Sequence, residues 1–368
     1  MAEVINKDVL YEVLCRLDGL TLATAACAGS VFRSISLDER IWECICNKQW
    51  PSTNDPLVKY IAASMGGFYR FYSECFPLIV NKQPFIFDIA DTILKDAEDW
   101  FDDEEDMIEE LYGTSPDDFV SLVDVLFKGK PIVTRVLHGI PGASDFHGWF
   151  STCPFRIDAL TYTDDDDEQA VASGTVISED LPSVVSIEKE RKEGRFWKAL
   201  RDDIRVSWII VNKRTRQMAN LSSWRPLGGQ RHWPSDKQFL VRFGSILPAH
   251  PLLSRKVVQC NVVLKCKLLT NCSVTEARKS TLVITELSLQ LEDMAGAHLN
   301  GRHSVLALME ALSCRKSMNH NEVLKSYRQY IRVQSELKEE KLKSEGWIDT
   351  ICIIWGIISF VSFFCYMF

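Results

Sequence analysis

Between residues 121 and 292 the chain repeats one pattern: short β-branched runs with no helical period between them. Val133-Thr134-Arg135-Val136-Leu137, Val184-Val185-Ser186-Ile187, Val206-Ser207-Trp208-Ile209-Ile210-Val211 and Phe239-Leu240-Val241-Arg242-Phe243 are followed by runs at 257–264 and 282–291. β-Branched and aromatic side chains suit a pleated, half-buried surface. In the last run Leu287, Leu289 and Leu291 fall on one face and Ser288, Gln290 and Glu292 on the other, the alternation of a strand with one face in a core. Clusters such as Arg225-Pro226-Leu227-Gly228-Gly229 separate the runs. Strands in succession without crossover helices predict an antiparallel, sandwich-like domain. No fixed period recurs, which excludes a propeller or a leucine-rich solenoid.

The flanks read as helices. Val9, Leu10, Val13, Leu14 and Leu17 form one amphipathic stripe behind a candidate N-cap at Asn6, and Asp18-Gly19 closes it. Apolar runs at 20–28 and 31–50 follow, broken at Gly29-Ser30, and Pro51-Ser52-Thr53-Asn54-Asp55-Pro56 marks a boundary. Three short helices in under fifty residues leave apolar surface that a partner must cover. An aromatic-rich helical stretch is expected at 57–77. From Asp96 to Asp118 there are twelve acidic residues and no Lys or Arg, read as a solvated acidic face. The Asp-x-Asp-x-Asp-Gly order of a calcium loop is missing. Asp164-Asp165-Asp166-Asp167-Glu168 reads as a solvated tip, residues 299–313 as a helix, and 321–345 as a charged helical spacer.

The last nineteen residues, TICIIWGIISFVSFFCYMF, carry no charge. At 1.5 Å per residue they would reach roughly 28 Å, close to the hydrocarbon thickness of a bilayer. Lys338, Lys341 and Lys343 lie upstream, with Trp347 and Tyr366 placed for the two interfaces. The expectation is a transmembrane helix at 347–368 in membrane lipid. It would anchor a body that faces the cytosol, with the endoplasmic reticulum as the favoured membrane.

Charge and cysteine spacing narrow the chemistry. Across 368 residues, 42 Lys and Arg against 50 Asp and Glu give a net charge of −8, which disfavours a broad nucleic-acid surface. The twelve cysteines include no C-x-x-C pair, and the opening residues lack the basic and apolar parts of a signal peptide. The cysteines therefore read as reduced thiols, and the sequons at Asn220 and Asn271 as unused. No phosphate loop, G-x-S-x-G or H-E-x-x-H is present. His298 and His303 lack further ligands at metal spacing, and Asp202-Asp203 beside Arg201 and Arg205 reads as a salt-bridge cluster at a strand start. No catalytic residue, metal or cofactor is assigned. Arg231, His232 and Trp233, followed by Pro234, can grip an anion or a sugar and are the candidate substrate contact.

The ordered pattern at the N-terminus resembles an F-box. Its segment Ile5-Asn6-Lys7-Asp8-Val9-Leu10-Tyr11-Glu12-Val13-Leu14-Cys15-Arg16-Leu17-Asp18 follows the family's opening, with Ile5-Asn6 in place of Leu-Pro. Leu20 and Leu22 match the next apolar pair. Val31-Phe32-Arg33-Ser34-Ile35 is similar to the Ser-Trp-Arg-x-Leu element, Ala28-Gly29 stands where many members have Val-Cys, and Ile41-Trp42 matches the closing aromatic. The resemblance covers about 45 of the 368 residues. The body is also similar to lectin-like sandwiches of plant phloem proteins, through Phe196-Trp197, Val206-Ser207-Trp208-Ile209 and residues 287–292.

The F-box resemblance implies a trihelical module that docks on a Skp adaptor, and through it on a cullin scaffold and a RING subunit, in an SCF ubiquitin ligase. Such a protein is non-catalytic and presents an unknown protein substrate. The matching positions that would face the adaptor are Ile5, Val9, Leu10, Val13, Leu14, Leu17, Leu20, Leu22, Phe32, Ile35 and Trp42; some of these must instead hold the helices together. The expected fold class is α+β: an F-box at 1–50, a helical acidic connecting region at 51–120 and an antiparallel β-rich domain with helical additions at 121–313. A charged helical linker at 314–346 and the transmembrane helix at 347–368 complete it. The alternative is a membrane-anchored lectin-like or lipid-binding module with no ligase role.

Overall fold

Asp18, Asp38 and Asp55 set where N-terminal helices begin. Each is in extended backbone, and its carboxylate accepts a hydrogen bond from the main-chain N–H of Thr21, Arg40 and Leu57 respectively. An N-cap of this kind satisfies a donor that the helix itself cannot. The computed structural model describes residues 7–81, 115–141, 153–161, 176–178, 195–231, 238–250, 253, 257–270 and 280–367. The acidic block up to residue 114, Asp164-Asp165-Asp166-Asp167-Glu168, the run Val184-Val185-Ser186-Ile187 and Asn271 lie outside them.

The helices are α1 (Lys7–Leu14), α2 (Gly19–Ala25), α3 (Ser30–Ser36), α4 (Glu39–Gln49), α5 (Pro56–Ser64) and α6 (Gly67–Cys75). The apolar run at 31–50 is thus two helices, because Asp38 leaves helical backbone and caps the second. After β1 (Leu78–Ile79) the strands β2 (Phe119–Phe127), β3 (Lys130–His138), β4 (Arg156–Thr161) and β5 (Val176–Ser178) precede α7 (Arg195–Asp203). Then come β6 (Ile204–Asn212), β7 (Gln217–Asn220), β8 (Gly228–Arg231), β9 (Gln238–Pro248), β10 (Val257–Thr270) and β11 (Ser280–Glu292). The chain ends with α8 (Gly301–Ser313), β12 (Lys316–Ser317) and α9 (His320–Met367).

Two antiparallel sheets face each other, one in the order β3-β2-β6-β7 and the other β4-β11-β10-β9-β8, with β5 also on β11. Phe119, Val123 and Val125 of β2 and Trp208 and Ile210 of β6 meet Phe243, Val262 and Leu289 in the space between them. The alternate residues Val120, Leu122, Ile209, Val211 and Met218 point the other way, into the N-terminal helices. The architecture is therefore α+β in three layers: helices, a four-stranded sheet and a six-stranded sheet. Strand β2, buried along its whole length, is the layer's centre. Its Ser121 and Asp124 interrupt the apolar pattern that would mark such a strand in the sequence.

One glycine is indispensable to the larger sheet. Gly244 has φ +143°, and a Cβ there would lie 1.9 Å from the Cys260 carbonyl oxygen on the neighbouring strand. Helix α8 closes one end of the sandwich with Ala307, Leu308, Ala311 and Leu312. The first half of α9 lies against the body through Tyr330, which packs with Ile246, Val257 and Met294 and donates its hydroxyl to the Asp293 carbonyl at 2.9 Å.

The C-terminal expectation is corrected. Among the described residues no helix is long and apolar enough to cross a membrane. The charge-free C-terminal stretch forms the end of α9. It continues a single helix whose first half is polar and held on the body. The transmembrane helix, the membrane lipid partner and the membrane-anchored placement of the body are withdrawn with it.

Candidate functional site

Consecutive positions of α1 divide between two environments. Leu14 and Leu22 are 2% and 0% exposed and pack with Leu10 and Trp42 in the helical layer, whereas Val9, Val13 and Leu20 are 58%, 52% and 49% exposed. Val9 and Val13 are one helical turn apart and share a face. Leu17, Phe32 and Ile35 are half-buried along the margin between the two groups. Ile5 lies outside the described residues. Two further apolar side chains, Val31 and Leu37, are exposed on or beside α3.

The surface that carries Val9, Val13 and Leu20 is mounted on aromatic side chains. Trp42 donates its indole N–H to the Ser36 carbonyl at 2.7 Å, tying α4 to α3, and its ring meets Tyr69 and Tyr72 at centroid distances of 5.0 and 5.3 Å. Trp50 meets Phe71 and Tyr72, and Tyr72 stacks on Phe76 at 4.7 Å. Gly19 opens α2 directly against this cluster: a Cβ there would stand 2.3 Å from Cζ of Tyr72. The Glu39 carboxylate of α4 accepts from the Phe68 N–H at 2.6 Å, at the start of α6, where the helix dipole favours an anion.

Polar contacts join the helical layer to the β-rich body. Asp124, in the middle of β2, accepts from the Ser52 hydroxyl at 2.6 Å and from the Ser52 N–H at 2.9 Å. Lys316 of β12 pairs with Glu74 of α6 at 2.5 Å and donates to the Met218 carbonyl at 2.9 Å. Burial pushes the Cys46 and Cys75 thiols and the Tyr72 hydroxyl well above their ordinary values, so these groups stay protonated and act as packing.

The body offers less. Gly228–Arg231 forms β8, the strand that ends one edge of the six-stranded sheet. The Arg231 side chain, His232 and Trp233 lie outside what the structure describes. Asn220 is buried, its side-chain oxygen accepting from the N–H groups of Trp208 at 3.2 Å and Ser222 at 3.1 Å, so the folded chain cannot present this sequon for glycosylation. Among the described residues no three His, Cys, Asp or Glu side chains are grouped for a metal ion.

Comparison with known proteins places this geometry in context. The F-box protein At2g27310 of Arabidopsis thaliana is 25% identical over 365 residues, 97% of this chain and 93% of its own. The probable F-box protein At2g36090 of the same plant is 26% identical over 365 residues, covering 98% of this chain and 92% of its own. The F-box protein GID2 of Oryza sativa subsp. japonica is 34% identical over 71 residues, 19% of this chain and 34% of its own. No sequence model of a family matches the chain, and no solved structure matches it.

Proposed function

Because the chain belongs to the F-box protein family, we propose that it is the substrate receptor of an SCF-type ubiquitin ligase. In this reading it has no catalytic residues of its own. The helical layer binds a Skp adaptor, which links it to a cullin scaffold, and the β-rich body holds a protein to be ubiquitinated. Holding a substrate beside a charged conjugating enzyme raises its effective concentration, and orientation supplies the rate advantage.

The observation that carries the reading is the exposed apolar row of Val9 and Val13 on α1, with Leu20 exposed on α2, while the neighbouring Leu10, Leu14 and Leu22 are locked into a core. Exposed apolar side chains grouped on a rigid element mark a protein interaction surface. Half-buried Leu17, Phe32 and Ile35 extend the row, and Leu10, Leu14, Leu22 and Trp42 support it from beneath. The contacts from Ser52 to Asp124 and from Glu74 to Lys316 favour transmission of a fixed orientation from adaptor to body.

The test is co-purification of the full chain with a Skp adaptor, using Val13→Asp and Leu14→Asp. Val13→Asp is expected to keep the wild-type melting temperature and to weaken binding at least about tenfold, the result of burying an unpaired charge in an interface. Leu14→Asp is expected to lose binding through unfolding of the helical layer. Wild-type affinity in a folded Val13→Asp chain would overturn the assignment of this face.

A further inference from the structure

Where the start of β6 meets the segment before β8, cationic side chains converge with little to neutralise them. Val206 and Trp224 form a β-bridge, the Val206 N–H donating to the Trp224 carbonyl at 3.2 Å. Arg205 and Arg225 are therefore neighbours across the bridge. Trp224 packs against the cluster of Leu78, Val80 and Val323, the last on α9, and His320 is one turn before Val323 on the same helix.

Among the described residues Arg205 and Arg225 form no ion pair with a carboxylate. Arg201 and Asp202 are paired at 3.9 Å, but Arg205 directs its Nη1 to the main-chain carbonyls of Ile204 at 2.7 Å and Arg201 at 3.2 Å. Burial and then Arg225 disfavour the charge on Arg205, while Asp203 and Asp202 act in the opposite direction. Arg225 is exposed and, among the described residues, makes no ion pair. His320 has a buried Nδ1 with no hydrogen-bond partner among the described residues. Burial, then Arg225 and Arg205, hold its imidazole below the ordinary histidine range, with only the Ser223 main chain favouring protonation. The residue that sets Arg225 in place, Trp224, has φ +65°, a left-handed conformation that is strained for a bulky side chain. The Ser223 hydroxyl fixes the turn by donating to the Arg225 carbonyl at 2.6 Å.

Two guanidinium groups gathered beside a half-buried imidazole create a positive potential that an anion would neutralise. We propose that Arg205, Arg225 and His320 form a binding site for an oxyanion, with phosphate the best match. Two guanidinium groups supply planar donors suited to phosphate oxygens, and a histidine that gains a proton as the anion arrives complements a dianion. The group could be free phosphate or a phosphorylated side chain of a bound protein; the chemistry at the site is the same. The site is independent of adaptor binding.

The experiment uses the full chain with labelled histidine, titrated with inorganic phosphate against chloride at matched ionic strength, in wild type and Arg225→Gln. Phosphate is expected to bind wild type and to move the His320 titration upward, because an anion favours imidazolium. Arg225→Gln, at an exposed position that leaves the fold intact, is expected to weaken phosphate binding about tenfold, the loss of one hydrogen bond to a charged group. It is also expected to raise the His320 titration of the unliganded chain by removing a repelling charge. A His320 titration indifferent to Arg225→Gln, or a chloride response equal to that of phosphate, would overturn the proposal. O-Phosphoserine binding more tightly than inorganic phosphate supports the site with a phosphorylated side chain as occupant, and equal binding supports it with free phosphate.

Discussion

The Ser52 hydroxyl donates to the Asp124 carboxylate at 2.6 Å, and the two residues are buried. Ser52 follows α4, and Asp124 occupies the middle of β2, so one side chain joins the connector to the centre of the body.

That contact carries a pH dependence. Burial pushes the Asp124 carboxyl up to about 6, with hydrogen bonds from Ser52 and Thr134 pulling the other way. The folded value exceeds the ordinary 3.8, so the native state keeps a proton that the unfolded chain releases. The contribution is fully present below the unfolded value and is lost as pH rises through about 6, a change of about 3 kcal/mol. Asp124→Asn has no ionisation to oppose and is expected to flatten the dependence. Denaturant unfolding of both chains at pH 4 and pH 7 measures this, and an equal stability difference at the two pH values would contradict it.

Gly19 is a second point on which the helical layer depends. A methyl group there would enter the ring of Tyr72, which is confined by Trp42, Trp50 and Phe76. Gly19→Ala is expected to lower stability by about 1–3 kcal/mol, the range for overpacking a filled core. Thermal unfolding followed by near-ultraviolet circular dichroism reads the change, because the aromatic cluster itself loses its order.

Much of this was legible in the sequence, for physical reasons. Strands that alternate, such as the one with Leu287, Leu289 and Leu291, declare which face is buried. The order of apolar, acidic and aromatic positions in the first 42 residues indicated the helical module. The division of that module was hidden: Val9 and Leu10, like Val13 and Leu14, are adjacent and equally apolar, and only the packing of the other helices decides which is covered. Asp124 was hidden too, since a carboxylate inside a strand reads as a surface residue until its partner, 72 positions away, is known. The tail misled because a charge-free run reads as a membrane span, whereas it is the end of a 48-residue helix whose first half is polar and held on the body.

Two glycines separate strain from collision. Gly129 has φ +76° with nothing within 4 Å of where a Cβ would stand, whereas Gly244 has φ +143° and a Cβ there would meet the Cys260 carbonyl at 1.9 Å. Gly129→Ala is expected to cost about 1 kcal/mol, the penalty of a left-handed conformation. Gly244→Ala must displace β10 from β9 and is expected to leave no soluble folded chain. Soluble yield and melting temperature of the two variants decide between these outcomes, and similar values would show that backbone strain alone governs both.

Tyr330 sets how firmly the first half of α9 is held. Its ring is fully buried among Ile246, Val257 and Met294, and its hydroxyl reaches the Asp293 carbonyl at 2.9 Å. Tyr330→Phe removes only the hydrogen bond and is expected to cost about 1–2 kcal/mol. Tyr330→Ala leaves a cavity as well and is expected to cost about 3–5 kcal/mol. The two effects also differ in place. In Tyr330→Ala, hydrogen exchange is expected to accelerate in residues 327–337 before the four-stranded sheet responds, because Tyr327, Val333 and Leu337 of α9 share the weakened contact region. Uniform acceleration across both sheets would show instead that α9 and the sandwich unfold as one unit.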